Sequence, residues 1–345
     1  MAPVYRALAM TGIEPVLIST GQHLELLRTA LRPLELVPDH ELEIMTPDQT
    51  PASVAARVLD RLPPLLDAIR PDAVLVQGDT TSAFATAFVA YHQRIPVGHV
   101  EAGLRTFDDR NPFPEEINRQ MIARLTRWSF APTALSRTHL LAEHIAEERI
   151  FVTGNTAVDA LVWMVSRAPR PPVRGPYLLV TLHRRESFGE PLRDVLAAIS
   201  DFLDRERDAS VVWPVHPNPR VKAVAEQVFG DHPGVELVAP LDYDVFAPML
   251  AGARLVLSDS GGVQEEAPSF GKIVLVAREV TERPEALVGL NRLVGRDRAT
   301  IRDALVAAWH EPPYVGPIPA PNPYGDGHAG ERIASILARE LGHAG

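Results

Sequence analysis

The sequence predicts an α/β protein with two parallel-sheet domains, and three observations lead to this fold class. Short apolar runs rich in Val, Ile and Leu recur along the chain, and between them apolar residues recur every three or four positions, as on one face of a helix. The runs are continuous rather than alternating, which is typical of parallel strands that helices cover on both faces. A chain of 345 residues is also long for one hydrophobic core and fits two domains of roughly 150 residues each.

Nine apolar runs predict strands, four in the first half of the chain and five in the second. They occupy residues 14–20, 72–79, 95–102, 149–155, 176–183, 210–216, 234–240, 254–260 and 272–277. The clearest helical patterns lie at 53–69 and 191–205. A stretch rich in Pro and Arg at 166–176 has no periodicity and predicts a linker. We therefore expect one domain at 1–166 and a second at 176–327, with a helix at about 328–345 that packs back on the first domain.

The composition narrows the classes of function. A formal net charge of −10 argues against a general binder of nucleic acid or of anionic membranes, although it is compatible with a local basic pocket for an anionic small molecule. The absence of cysteine excludes disulfides, thiolate zinc sites and a cysteine nucleophile. No segment has the roughly 18 apolar residues that a membrane span needs, so we expect a soluble, cytoplasmic protein.

Carboxylates follow two of the predicted strands directly. Asp79 ends "VLVQGD", Glu101 ends "PVGHVE", and Glu115 follows in the loop "NPFPEE". Ligands of open parallel sheets bind beyond the carboxyl ends of the strands, where clustered acids acquire separated pKa values and can act as acid and base. Each acid also has a simpler interpretation. Asp79 would cap the next helix, Glu115 would pair with Arg119, and Glu101 would be matched by Arg105.

A glycine turn in the second half is a candidate anion site. Ser260, Gly261 and Gly262 stand between a strand and a short helix, where backbone N–H groups and the helix dipole favour a diphosphate. The alternative is a helix cap without a ligand. Glu266 would repel a phosphate, so its useful role is to accept hydrogen bonds from sugar hydroxyls. Arg283 adds a guanidinium that binds phosphate oxygens, unless it only pairs with a neighbouring glutamate.

Histidines give a weaker signal. His183 directly follows the first strand of the second half, where it would stabilise or protonate a departing phosphate or be a solvated loop residue. His216 and His23 share that ambiguity. No pair of histidines has metal-ligand spacing, so we expect no required metal.

Taken together, these motifs carry a family resemblance over nearly the whole chain. In order they are "QGDTT", "IPVGHVEAGLRT", "PFPEEINR", "TGNTAVDAL", "HRRESFG", "PVHPNP", "SDSGGVQEEAPSFGK", "TERPE" and "NPYGDG". This set resembles the non-hydrolysing UDP-N-acetylglucosamine 2-epimerases. The resemblance implies two Rossmann-like, doubly wound parallel-sheet domains of glycosyltransferase-B-like architecture with a cleft between them. It also implies reversible conversion of UDP-GlcNAc to UDP-ManNAc, by anti-elimination of UDP to 2-acetamidoglucal and re-addition, which feeds cell-surface polysaccharide synthesis.

The same resemblance implies roles for individual residues. Asp79, Glu101 and Glu115 match the family's acid/base positions, and His183 its histidine near the leaving diphosphate. The residues that match its substrate-binding positions are Ser260, Gly261 and Gly262 for the phosphates, Glu266 for the ribose, Arg283 for the diphosphate or sugar, and Phe246 near the uracil. Three residues match parts of a second, allosteric UDP-GlcNAc site: Gln22, Arg57 and His216. The family also implies a homodimer and no cofactor.

The chain departs from the family pattern at three places. A first strand and a "GTRPE"-like loop are expected before "MAPVYRAL" but are absent, Leu24 and Glu25 replace Arg followed by Glu or Gln, and "ERPEALVGLNRLVG" is one residue short. Three other functions therefore stay open. They are a 2-epimerase of a modified UDP-sugar of the diacetamido uronic acid type, a UDP-sugar glycosyltransferase, and an inactive UDP-sugar-binding protein.

Overall fold

The computed structural model describes residues 1–21, 32–46, 49–167, 173, 175–182, 190–281, 284–287 and 289–342. The chain divides into two units, the first comprising Met1–Ala160 with Gly327–Gly345 and the second comprising Leu161–Asp326. The boundary between Ala160 and Leu161 lies inside a helix, Thr156–Arg167. It is a few residues before the boundary expected from the sequence.

The first unit alternates strands and helices. Its strands are β1 (Ile18–Ser19), β2 (His40–Glu41), β3 (Val74–Gln77), β4 (Val97–Val100), β5 (Trp128–Ala131) and β6 (Ile150–Val152). Its helices are α1 (Ala2–Met10), α2 (Pro51–Ile69), α3 (Thr81–His92), α4 (Glu115–Leu125), α5 (Ala134–Ala142) and the start of α6 (Thr156–Arg167). Strands β3 to β6 form a parallel sheet in chain order, and β1 pairs with β2, also in parallel.

Helices cover both faces of this four-stranded sheet. On one face Val76 and Val97 pack with alanines of α3 and with Ile122 of α4. On the other face Trp128 and Phe130 pack with α1 and with the C-terminal helix. Burial on both faces explains why these strands have continuous apolar runs instead of alternating ones.

The second unit contains a six-stranded parallel sheet. Its strands are β7 (Tyr177–Thr181), β8 (Ser210–Pro214), β9 (Val235–Val238), β10 (Leu255–Ser258), β11 (Val274–Val276) and β12 (Asn291–Leu293). Its helices are the rest of α6, then α7 (Glu190–Arg205), α8 (Pro219–Phe229), α9 (Tyr243–Gly252), α10 (Gly261–Glu266) and α11 (Arg298–His310); α12 (Ala329–Glu340) returns to the first unit. The spatial order of the strands is β12-β11-β10-β7-β8-β9.

This strand order is that of the Rossmann fold, in which the first and fourth strands of the unit lie side by side and the chain winds outward in both directions. The reversal point therefore lies between β7 and β10. In such sheets ligands bind beyond the carboxyl ends of the strands at this point. The predicted glycine turn directly follows β10 and so occupies this position.

All nine predicted runs contain a strand, but the sequence analysis missed β2, β5 and β12. Strand β5 is the most important omission, because it is fully buried and lies between β4 and β6 in the sheet. Its residues Trp-Ser-Phe-Ala include no β-branched side chain, and only two residues separate it from α4, so the usual composition and turn signals are missing.

Candidate active site

The three predicted acids come together at the carboxyl edge of the first sheet. Strands β3 and β4 are paired neighbours, with Gln77 opposite Val100, so the residues that follow them leave the sheet side by side. A Cβ placed on Gly78 would lie 3.7 Å from Oε2 of Glu101, which puts that carboxylate against the turn that carries Asp79. Glu115 begins α4, whose side chains contact the same turn.

Asp79 has the electrostatics of a proton-transfer group. Burial raises the pKa of its carboxyl above the ordinary value, Arg119 opposes this shift, and the negative charge of Glu115 adds to it. The guanidinium of Arg119 lies 3.6 Å from Oδ2 of Asp79. The cap of α3 is Thr80, whose side chain accepts a hydrogen bond from Ala83 N at 3.2 Å. Asp79 is therefore not the helix cap that the simpler interpretation suggested.

Glu101 occupies a strained backbone position. Its φ is 67°, in the left-handed region that costs a residue with a Cβ about 1–3 kcal/mol. Backbone hydrogen bonds on both sides hold it there, from Gly78 N to Val100 O at 3.1 Å and from Ala102 N to Phe130 O at 3.0 Å. The strain is consistent with a side chain whose direction matters for function.

Arg105 has a different partner from the one expected. Its buried guanidinium forms a bidentate pair with Glu143, with nitrogen to oxygen distances of 2.6 and 2.9 Å. This pair fastens the segment after β4 to the end of α5. The prediction that Arg105 matches Glu101 was therefore wrong, because the nearer fork of Glu143 satisfies the guanidinium.

A buried carboxylate that sequence reasoning missed organises the acid loop. Glu116 is fully buried and accepts hydrogen bonds from Thr106 N at 3.0 Å, Phe107 N at 3.3 Å and Gln120 at 2.7 Å. It also pairs with Arg119 at 3.0 Å. Burial opposes ionisation, but these donors together outweigh it and lower the pKa of Glu116. Arg119 thus bridges Glu116 and Asp79, in place of the suggested pair with Glu115.

Two further side chains hold the backbone of the Asp79 turn. His99 places Nε2 2.8 Å from Gly78 O, and Asn118 donates to Asp79 O at 3.0 Å. Burial lowers the pKa of His99 to about 4, so the ring is neutral at pH 7 and Nε2 carries the proton that the carbonyl accepts. A histidine on a buried strand two residues before Glu101 was a usable signal, and the sequence analysis did not use it.

The glycine turn of the second unit is ordered by hydroxyl groups of the two central strands. Thr181 of β7 donates to Ser258 of β10 at 2.6 Å, and Ser258 Oγ accepts from Ser260 N at 2.9 Å. Within the described residues Ser260 makes no side-chain capping bond to α10, so the cap interpretation lacks its hydrogen bond. Gly262 is exposed, and among the described residues a Cβ there would meet only Ser260 Oγ, at 4.0 Å. No other part of the described chain crowds its backbone.

Glu266 does not bring a full negative charge to this turn. Burial, with a contribution from Glu265, raises the pKa of Glu266 to about 8. The hydroxyl of Tyr243 donates to its Oε1 at 3.3 Å. Tyr243 and Phe246 both belong to α9, and Phe246 is partly buried. A neutral carboxyl beside the turn removes the repulsion that the sequence alone suggested.

Several predicted residues lie elsewhere or outside the described part of the chain. Gln22, His183 and Arg283 are outside the described residues. Arg57 donates to Ile44 O at 3.0 Å and to Thr46 Oγ1 at 2.6 Å, so it supports the loop before α2. His216 follows β8, and its Nδ1 accepts from Asn218 N at 3.2 Å.

Among the residues that the structure describes, no group of three or more His, Asp or Glu side chains is arranged to hold a metal ion. In the same part of the chain no helix is both long enough and apolar enough to span a bilayer.

Comparison with known proteins covers both units. A family model described as UDP-N-acetylglucosamine 2-epimerase matches residues 6–338. The chain is 44% identical over 354 aligned residues to UDP-N-acetylglucosamine 2-epimerase of Escherichia coli (strain K12), and the alignment covers 98% of this chain and 94% of that protein.

Solved structures are similar over the same length. UDP-GlcNAc 2-epimerase from Neisseria meningitidis, bound to UDP-GlcNAc, has a TM-score of 0.83 and 36% identity, covering 98% of this chain and 96% of that one. The enzyme from Methanocaldococcus jannaschii, in complex with UDP-GlcNAc and UDP, has a TM-score of 0.79 and 33% identity, covering 98% and 95%. These similarities and the two parallel sheets confirm the predicted class of two Rossmann-like, glycosyltransferase-B-like domains.

Proposed function

The chain belongs to the UDP-N-acetylglucosamine 2-epimerase family, which is a family of isomerases, and we propose that it interconverts UDP-GlcNAc and UDP-ManNAc by non-hydrolytic epimerisation at C2. One observation carries the proposal most strongly. The loops after β3 and β4 bring Asp79, with its raised pKa, beside Glu101, whose strained backbone conformation is held by the flanking backbone hydrogen bonds.

Epimerisation needs this combination of groups. A carboxylate removes the C2 proton while the C1–O bond to UDP breaks, which leaves 2-acetamidoglucal and UDP. A protonated acid then returns a proton to the opposite face of C2, and UDP oxygen reforms the bond at C1. One group must be ionised while another holds a proton, and carboxyls with separated pKa values meet that requirement.

We assign the two chemical roles to the acid cluster without dividing them between faces of the sugar. Asp79, Glu101 and Glu115 supply the base and the acid. Glu116 and Arg119 do not react with substrate, because their hydrogen bonds and charges are used to fix Asp79 and the loop that follows Glu101.

The second unit would bind the nucleotide. In the proposal, backbone amides at Ser260, Gly261 and Gly262 bind the diphosphate, because the turn at the reversal point is open and its neighbour Glu266 is largely neutral. Glu266 would bond the ribose and Phe246 would lie near the uracil. Arg283 and His183 would contact the diphosphate by family resemblance.

Regulation and location are proposed on the resemblance alone. Gln22, Arg57 and His216 would contribute to a second, activating UDP-GlcNAc site, although Arg57 already donates hydrogen bonds to the loop before α2. The enzyme would work in the cytoplasm and supply cell-surface polysaccharide synthesis.

We also propose a homodimer. Three apolar side chains are exposed along one stretch of the first unit, at Phe113 (73%), Ile117 (37%) and Met121 (36%). Ile117 and Met121 are four residues apart on α4 and share a face of that helix. If this face joins two copies, Met121→Asp should convert a dimer to a monomer in size-exclusion chromatography with light scattering.

Proton NMR in deuterium oxide tests the function. With UDP-GlcNAc as the only sugar, we expect signals of UDP-ManNAc and deuterium at C2 of both sugars. A glycosyltransferase or a binding protein would leave the C2 hydrogen in place, and an epimerase of a modified sugar would not turn over this substrate. Loss of the C2 proton without UDP-ManNAc would contradict the proposed re-addition step.

A further inference from the structure

A pocket lined by several arginines, called the basic pocket below, lies at the edge of the first sheet opposite the acids. It has a volume of about 730 Å³ and is lined by residues that lead into successive strands, including Arg94 before β4, Arg127 before β5 and Arg149 before β6. Asp79 and Glu101 follow the carboxyl ends of β3 and β4. A four-residue strand spans roughly 13 Å, so the pocket is separate from the acid cluster.

The lining of this basic pocket is strongly positive. Four of its 11 lining residues are arginines, whereas lysine and arginine together make up 34 of the chain's 345 residues. His92 also lines the pocket. None of the lining residues in the described part of the chain is an aspartate or a glutamate. The net charge of the chain is −10, so this local excess of arginine runs against the composition of the whole protein.

Three of the arginines have no acidic partner. Arg127 is partly neutralised, because it lies 3.9 Å from Glu340 and stacks on Trp128 at 5.0 Å. The guanidinium groups of Arg94, Arg124 and Arg149 form no hydrogen bond or ion pair with any residue in the described stretches of the chain. Arg94 and Arg124 are exposed, so water and salt screen the repulsion between them, and a bound anion would add direct ion pairs with these groups.

The backbone at Arg94 supports a specific placement of its side chain. Arg94 has a φ of 61°, where glycine would be less strained, and its N–H bonds Tyr91 O at 3.0 Å. The adjacent Ile95 N bonds Ala90 O at 2.9 Å, which closes the end of α3. Arg94 directly follows the C-terminal end of α3, where a guanidinium is favourable for the helix dipole, and it also lines the pocket.

We propose that the basic pocket binds a small molecule that carries a diphosphate group, at a site separate from the proposed catalytic one. Arginine forks bind phosphate oxygens in pairs, and three unpaired forks match the charge of a diphosphate. Ile95, Pro96 and Leu125 supply an apolar wall for the rest of such a molecule. The volume lies in the range of roughly 300–1,000 Å³ that is typical of small-molecule sites. This inference goes beyond the epimerase activity and does not depend on it.

Calorimetry with inorganic pyrophosphate tests the site. The titration is done at low salt on nucleotide-free protein, because UDP also carries a diphosphate and would compete for this pocket. We expect pyrophosphate to bind at this pocket as well as at any nucleotide site, and the affinity to fall as salt is added, because the contacts are ionic. The double variant Arg124→Glu/Arg149→Glu should lose one bound pyrophosphate or bind it at least roughly tenfold more weakly, since each lost guanidinium removes charge-assisted hydrogen bonds.

The matched control removes the same charge from elsewhere. Arg193→Glu/Arg207→Glu changes two exposed arginines of the second unit and should bind pyrophosphate within twofold of the wild type. If the pocket variant loses its fold by circular dichroism, the neutral single change Arg124→Gln replaces it, with severalfold weaker binding expected. The proposal is overturned if nucleotide-free wild type does not bind pyrophosphate, if the pocket variant binds as many pyrophosphates equally well, or if both double variants lose the binding equally.

Discussion

At the scale of single residues, adjacent glutamates have opposite roles. Glu116 is fully buried and bonded to the acid loop and to Arg119, whereas Glu115 is partly exposed and adds negative charge beside Asp79. Glu116→Ala should lower the free energy of unfolding by roughly 3–5 kcal/mol, because it leaves the buried Arg119 with only the longer contact to Asp79 and removes the acceptor of the Thr106 and Phe107 N–H groups. Glu115→Gln should change it by less than about 0.5 kcal/mol. Urea denaturation measures both, and equal effects would contradict the distinction.

His99 should make the protein sensitive to acid. Its pKa is near 6.5 when unfolded and about 4 in the fold, so the unfolded state binds more protons between these values. Stability should therefore decrease as the pH falls through this window, by about 3 kcal/mol in total from this residue. His99→Gln can still donate to Gly78 O and should flatten that part of the pH profile of unfolding. His92→Gln, an exposed histidine, should leave the profile unchanged.

Glu266 should make UDP binding weaker at alkaline pH. Its pKa of about 8 means that it is mostly protonated at pH 7 and ionises as the pH rises through 8. An ionised carboxylate beside the diphosphate weakens binding, by at least roughly fivefold or about 1 kcal/mol at pH 9 relative to pH 7. Calorimetric titration with UDP should show this loss in the wild type. Glu266→Gln should bind with the same affinity at both pH values.

Residue-level prediction from sequence was best where a residue type follows a strand. The positions of Asp79, Glu101 and Ser260 could be predicted because residues that directly follow buried strands lie at a sheet edge, whereas their roles stay predictions. The contributions of Glu116 and His99 could not be predicted in the same way. Their effect depends on which backbone groups the folded loops bring to them, and those groups are nine or more residues away in the chain.

At the scale of elements, one carboxylate attaches the C-terminal helix to the first unit. Asp159 of α6 accepts a hydrogen bond from Gly330 N at 2.7 Å, at the start of α12. Asp159→Ala should lower the free energy of unfolding by about 1–2 kcal/mol, as for the loss of a helix cap, and should speed amide exchange in α12. Glu331→Gln changes an exposed carboxylate in the same turn and should have little effect. Unchanged exchange in the Asp159 variant would mean that apolar packing and the other polar contacts, such as Trp128 Nε1 to Glu340 at 3.2 Å, hold the helix without this bond.

Strands with ordinary composition were predictable, and unusual ones were not. Strand β12 has the sequence Asn-Arg-Leu and lies at the edge of its sheet, so it needs no apolar run. Strand β5 is buried, but its aromatic and small residues have neither alternation nor β-branching. The β-propensity of a segment identifies a strand only when that propensity stabilises the strand. Strands β5 and β12 are instead held mainly by their neighbours in the sheet.

At the scale of the whole molecule, alternating strands and helices predict parallel sheets but do not specify the order of the strands. The order β12-β11-β10-β7-β8-β9 arises because the chain reverses direction after β9 and returns to the other side of β7. No local pattern encodes that reversal, although the family resemblance implied it. The reversal places the turn at Ser260 between the two central strands, where a nucleotide diphosphate is expected to bind.

The central claim is that the acids after β3 and β4 move the C2 proton. Solvent deuterium exchange at C2 of UDP-GlcNAc, followed by proton NMR, tests it most directly in the wild type, Asp79→Asn, Glu101→Gln and the exposed control Glu148→Gln. We predict that each of the first two changes slows exchange by at least roughly 100-fold while UDP affinity stays within about twofold, and that the control exchanges like the wild type. Exchange at the wild-type rate in both acid variants would contradict the account.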